Sequence, residues 1–150
     1  MKDIFDSNVA TEVISRVEKL TPTTQAQWGK MNVAQMLAHC NVTYDMIYTE
    51  KYPKATGFKK FILKALVKGI VVNEKPYKKS SQTAPAFLIT DARDFVAEKS
   101  KLMSNIDRMA KDGRTSFEGK ESNSFGALTA QEWNNMCYKH IDHHLTQFGV

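Results

Sequence analysis

Apolar residues recur every three to four positions along four separate stretches of this chain, which commits it to packing helices against helices. The first stretch runs from about Ser7 to Leu20, with Val9, Val13, Val17 and Leu20 on one face. Asp6 or Ser7 can cap it, and Thr21-Pro22-Thr23-Thr24 stops it. Asn32, with Gln35 three residues on, opens a second stretch whose apolar face is Val33, Met36, Leu37, Cys40, Tyr44, Ile47 and Tyr48. That stretch ends before Tyr52-Pro53. A third starts near Asp91, carries Phe95, Leu102, Met103, Ile106 and Met109, and finds a C-terminal cap in Gly113. The fourth has the strongest start signal. Thr129 is the N-cap, Glu132 completes a capping box, and Leu128 can staple to Trp133.

Four amphipathic helices predict an all-α four-helix bundle. The connections then order it. Residues 21–31 are a short link, so helices 1 and 2 should be antiparallel, and residues 113–128 can form a compact turn between antiparallel helices 3 and 4. Residues 51–90 are long enough to run back along the bundle, which lets helices 2 and 3 lie parallel. The predicted order is up-down-down-up. Structureless loops of that length are uncommon in compact domains, so a short helix over Phe58–Ile70 is expected within the crossover. This helix alternates apolar residues with Lys59, Lys60, Lys64 and Lys68. The expectation is an apolar side on the bundle and lysines in water, although basic amphipathic helices also bind anionic membranes and partner grooves. No repeat or linker interrupts the chain, so residues 1–150 read as one domain.

Composition narrows the class without naming an activity. A chain of 150 residues that is 42% hydrophobic and 25% charged suits a soluble globular domain. No apolar run approaches the roughly 20 residues of a membrane span, so stable membrane insertion is not expected. Met1-Lys2-Asp3-Ile4-Phe5 lacks the apolar stretch of a signal peptide, and Cys40 and Cys137 form no close-spaced motif. A cytoplasmic protein with reduced thiols is the expectation. The net charge is +5, but residues 51–79 hold nine lysines and one acid, Glu74, which leaves −3 on the rest of the chain. The basic character belongs to one excursion, and nucleic-acid binding is therefore not expected. Gly-rich phosphate loops and nucleophile-elbow serines are absent.

Three of the four histidines lie in Lys139-His140-Ile141-Asp142-His143-His144-Leu145. His140 and His144 are four apart, so a helix stacks them on one face, among Trp133, Cys137, Ile141 and Phe148. Unpaired polar groups in an apolar stripe cost free energy, and a bound metal would supply the missing partner. In up-down-down-up order the start of helix 2 is level with the end of helix 4. At about 1.5 Å rise per residue, His39 then falls within roughly one turn of His140 and His144. Three neutral imidazoles leave coordination positions open, as in catalytic rather than closed structural sites. The donor set takes a divalent transition metal, with Zn²⁺ or Ni²⁺ leading and Co²⁺, Fe²⁺ and Mn²⁺ also open. His143, Gln147 and Cys137 are candidates for support behind the ligands, with Gln147 placed to orient His143. Both cysteines lie in apolar arcs, where packing is the simpler role. Asp142 faces the polar side and Asp45 lies two turns beyond His39, so neither is assigned as a base.

Trp28-Gly29-Lys30-Met31-Asn32-Val33-Ala34-Gln35-Met36-Leu37-Ala38-His39-Cys40, together with Asn123–Trp133 and Tyr138–Val150, resembles the DinB/YfiT-like superfamily. The closer likeness is to a branch of it catalogued as a domain of unknown function. The resemblance spans nearly the whole chain. It implies a DinB-like bundle of the same up-down-down-up order. It also implies a metal held by His39 on helix 2 and by His140 and His144 on helix 4. Several relatives are thiol-dependent transferases or isomerases using low-molecular-weight thiols, and members are often dimers, so a thiol cofactor and a homodimer are expectations of the resemblance. Many members carry Arg-Gly between the last histidine and the glutamine. Here Leu145-Thr146 stands there, which matches the closer branch and argues against carrying over the relatives' substrates. Two functional readings follow. One is a metal-dependent enzyme acting on a small molecule, by a thiol-dependent transfer or a hydrolase-type reaction. The other is a non-catalytic helical module that binds a small molecule or a protein without metal.

Overall fold

Capping chemistry fixes where each long helix begins in the computed structural model, which describes residues 1–150. Asp6 accepts from the Asn8 amide and starts α1 (Ser7–Glu18). Asn32 and Gln35 form a reciprocal capping box at the head of α2 (Val33–Tyr48). A short, irregular helix crosses the connection that follows. It comprises α3 (Gly57–Ile62), a π-helical turn over Leu63–Val67, and α4 (Lys68–Val72). Asp94 caps α5 (Phe95–Asp112), and Thr129 with Glu132 boxes the start of α6 (Ala130–Gln147). The remaining regular structure is small: 3₁₀ turns at Pro85–Phe87 and Arg114–Phe117, and a hairpin pairing Glu121–Ser122 with Gly126–Ala127. The chain is all-α apart from that hairpin.

The start of one long helix differs from the periodic pattern, while α2 ends before Tyr52-Pro53 as expected. The third long helix begins at Phe95 rather than near Asp91, because Asp94 accepts from the Ala97 amide and Asp91 instead pairs with Arg93. Helix α2 stops at Tyr48, where the Thr49 amide and hydroxyl both donate to the Asp45 carbonyl.

One core joins the long helices. Val13 and Val17 of α1, Met36, Leu37 and Cys40 of α2, Leu102, Ile106 and Met109 of α5, and Trp133, Cys137, Ile141 and Leu145 of α6 are all buried within it. Interior side chains are close-packed, so these positions fix the spacing of the helices. Polar cross-links bind their ends. Lys99 donates to the Glu18 and Leu20 carbonyls, while Arg114 reaches Asp3. Asn41 donates to Glu98 and accepts from Asn105, and the Tyr48 hydroxyl donates to Asp112. Asn134 meets the backbone of Lys2 and Ile4, and Arg16 bonds Asp142 and the Val150 carbonyl.

Helix α2 is the central element. Every residue from Met36 to Asp45 is buried, including Asn41, Thr43 and Asp45, so it has no solvated face where the apolar pattern implied one. Each of these polar groups has a partner, as burial requires; Asp45, for instance, takes the Lys101 ammonium at 2.7 Å.

The crossover helix departs further from expectation. Leu63, Val67 and Val71 pack on the core, but Phe58, Phe61, Leu66 and Ile70 point into solvent. The helix is apolar on both sides, and only one side finds a partner within the chain. Its far end is anchored by a lysine that sequence reasoning passed over. Lys139 is buried on α6, and its ammonium donates to the Ile70 and Asn73 carbonyls and to the Asn73 side chain. Burial lowers its pKa to about 8.

Candidate metal centre

Two turns of helix build the site. Helix α2 supplies His39 and, four residues on, Thr43; α6 supplies His140 and His144. Residues four apart share a helix face, so each helix presents its pair toward the other. One ligand atom from each of the three histidines lies within 4.8 Å of the other two. His39 and His140 meet Nε2 to Nε2 at 2.9 Å. The ring centroids of the three lie 4.5–4.9 Å apart. His39 and His144 are buried, while His140 retains partial exposure.

The other nitrogen of every ring meets an oxygen. His39 Nδ1 donates to the Phe87 carbonyl at 2.8 Å. His140 Nδ1 faces the Thr43 hydroxyl at 3.0 Å. His144 Nδ1 lies 2.7 Å from Gln147 Oε1, and Gln147 Nε2 in turn donates to the Trp28 carbonyl at 2.6 Å. Because the glutamine amide is spent on Trp28, its oxygen is the acceptor, and His144 carries its hydrogen on Nδ1. For His39 and His144 this leaves the Nε2 lone pair turned inward. An imidazole held by an oxygen at one nitrogen and open at the other is the arrangement that orients a metal ligand.

Electrostatics agree with the geometry. Burial holds all three histidines below the usual imidazole range, and the neighbouring histidines add repulsion against a second proton. For His144 the value falls to about 3. Neutral rings keep the lone pairs that a cation needs. The three histidines could therefore hold a metal ion.

The other residues singled out by the sequence fall into different places. Gln147 does support a ring, but that ring is His144 rather than His143. His143 is half-buried outside the triad, its ring edge-on to Trp28 and Tyr77 at 5.8 Å and to His144 at 5.1 Å. Cys137 and Cys40 are both free and lie in the hydrophobic core, outside the group of three. Burial pushes the Cys137 thiol up to about 12, so it packs as a small apolar group. Asp142 is bound to Arg16 and Asp45 to Lys101, and no carboxylate joins the cluster.

Sequence reasoning missed three supports. Thr43 was within its reach, since it sits one turn from His39 on the same face. Phe87 and Trp28 act through backbone carbonyls, which no side-chain pattern reveals. Phe87 belongs to the crossover, and its ring also packs on His39 and His140 at 5.3 and 5.7 Å. Gly29 explains how the Trp28 carbonyl comes close enough. Its φ is +89°, and a Cβ there would sit 2.5 Å from Gln147 Nε2.

The model of a family described as Protein of unknown function (DUF1569) matches residues 5–149. No curated protein and no solved structure matches the chain.

Proposed function

The chain belongs to the DUF1569 family of proteins of unknown function, and on that footing we propose that it is a metal-dependent enzyme acting on a small molecule. His39, His140 and His144 would hold a divalent transition metal, Zn²⁺ or Ni²⁺ first. The single observation that carries this reading is the shared orientation of the rings. Each Nδ1 meets an oxygen from a different segment while the remaining nitrogens converge. A neutral imidazole has a donor and an acceptor nitrogen to satisfy; the oxygens take one nitrogen of each ring, and a metal would take the others.

When bound, the metal would supply Lewis-acid chemistry, lowering the pKa of a water or a low-molecular-weight thiol that reaches it. The chain's own residues position and exclude. Phe87 and Thr43 wall the site beside His140. A thiol-dependent transfer or a hydrolase-type reaction fits an open three-nitrogen site.

The fold reading behind this is a single DinB-like four-helix bundle spanning residues 1–150, in up-down-down-up order. The end-to-end cross-links support it. Lys99 meets the end of α1 and Arg114 meets the segment before it, as antiparallel α1 and α5 require. Asn41 bonds Glu98 near the start of α5, and Tyr48 bonds Asp112 at its end, as parallel α2 and α5 require. His39 opposite His144, with Thr43 opposite His140, sets α2 against α6 in the antiparallel sense. No helix is long and apolar enough to cross a membrane. A cytoplasmic site of action and a homodimer complete the reading.

One observation favours the alternative, a helical binding module without metal. At 2.9 Å an Nε2–H of His140 can donate to His39, with the Thr43 hydroxyl donating to His140 Nδ1, and the pair is then satisfied unaided. Elemental analysis of protein purified without a nickel column separates the two. Near-stoichiometric transition metal, or its uptake on titration, supports the enzyme. Less than about 0.1 equivalent with no uptake supports the module.

A further inference from the structure

We propose that the outward face of the crossover helix docks this protein onto an anionic lipid surface. The exposures are large for apolar side chains: Phe58 76%, Phe61 67%, Leu66 70% and Ile70 62%. They recur every three to five residues along one irregular helix, and the Phe58 and Phe61 rings stack at 6.5 Å. Scattered surface apolar residues need no explanation, but a continuous ridge on a folded chain marks a surface built for contact. Nothing within the chain covers it, because the core uses the opposite side, Leu63, Val67 and Val71.

Charge decides the occupant. The ridge lies within the stretch of nine lysines against one acid. Lys60 and Lys68 are paired with Glu121 and Glu132, but Lys59 and Lys64, interleaved with the ridge itself, have no carboxylate partner. A second copy docking face to face would bring the same excess of positive charge against this one. An anionic lipid surface neutralises it, and lysine stems can lie along the apolar layer with their ammonium groups among the headgroups. With no helix able to span a bilayer, the contact is interfacial, the ridge entering about 5–10 Å into the headgroup boundary. This face is distinct from the histidine site, so the inference stands whether or not a metal binds there.

The test is flotation of the full chain with phosphatidylcholine vesicles, plain or carrying about 30 mol% phosphatidylserine, at low and high salt. The wild type should float with the anionic vesicles at low salt, release as salt screens the lysines, and ignore plain phosphatidylcholine. Phe61→Ser with Leu66→Ser should lose partitioning by roughly tenfold or more, since it removes buried apolar area. Lys59→Glu with Lys64→Glu should lose it comparably. Both double variants alter exposed side chains, so circular dichroism melts should match the wild type. Absence of flotation at low salt overturns the proposal, as does unchanged flotation of the Phe61→Ser, Leu66→Ser variant. A wild-type dimer in sedimentation that this same variant splits would assign the face to a second copy, and would also overturn it.

Discussion

His39 and His140, separated by 101 positions in the chain, bring their Nε2 atoms to 2.9 Å. Two inward lone pairs at that distance repel unless a hydrogen or a cation lies between them. The contact is therefore a choice between two states of one site. Their Nδ1 partners differ in kind. The Phe87 carbonyl only accepts, so His39 is fixed as the Nδ1–H tautomer, whereas the Thr43 hydroxyl can accept or donate and lets His140 take either form.

Removing any one imidazole should cripple metal binding. His39→Ala, His140→Ala and His144→Ala are each expected to lower affinity by at least about 100-fold, more than the 10–100-fold typical of supporting residues. Competition against a chromogenic chelator, with elemental analysis of the dialysed protein, measures this. Full occupancy in any of the three would remove that residue from the ligand set.

Gly29→Ala should act on the same site from outside it. The new Cβ would fall 2.5 Å from Gln147 Nε2, at a φ of +89° that L side chains rarely adopt. Displacing Gln147 takes away the oxygen that holds His144 Nδ1. We expect a loss of about 1–3 kcal/mol in stability and a fall in metal affinity of roughly tenfold or more. Gln147→Leu should reproduce the affinity loss without the backbone strain. If both variants bind metal like the wild type, the glutamine does not orient the ring.

Acid should destabilise the metal-free protein well above the pH at which most folds suffer. Burial holds His39, His140 and His144 below the usual imidazole range, His144 at about 3. A histidine in the unfolded chain takes its proton near pH 6.5. Below that, and down to the folded value, the unfolded chain binds more protons, so stability is full above about pH 6.5 and falls as pH drops. The slope is up to about 1.4 kcal/mol per pH unit for each histidine. Thermal melts in chelator from about pH 7.5 to about pH 5 should show a falling midpoint, shallower in His140→Gln. A flat profile would mean that the folded site accepts protons freely.

Thr129→Ala separates the stability of α6 from the chemistry of its far end. The Thr129 and Glu132 box satisfies the first amides of the helix, four turns before His144. Its loss should lower stability by about 1 kcal/mol. Metal affinity should stay within about twofold, since no ligand or ligand support is touched. Chemical denaturation and chelator competition on one preparation read both quantities.

The sequence by itself determined the four long helices and the caps that start three of them, the Asp94 cap of α5 being the exception. Hydrophobic spacing and capping are local, so Asn32 with Gln35 and Thr129 with Glu132 declare themselves within four residues. It also placed His39 level with His140 and His144, because helical rise is fixed at about 1.5 Å per residue once direction is assumed. Tertiary structure decided the rest. Backbone carbonyls carry no residue label, so the parts of Phe87 and Trp28 could not be read from the chain. Thr43 and Gln147 had donors to spare, and only packing chose their partners. The crossover helix shows the same division. Its sequence announces apolar residues and lysines, but which apolar side faces the core depends on where the long helices leave room, and they left room for only one.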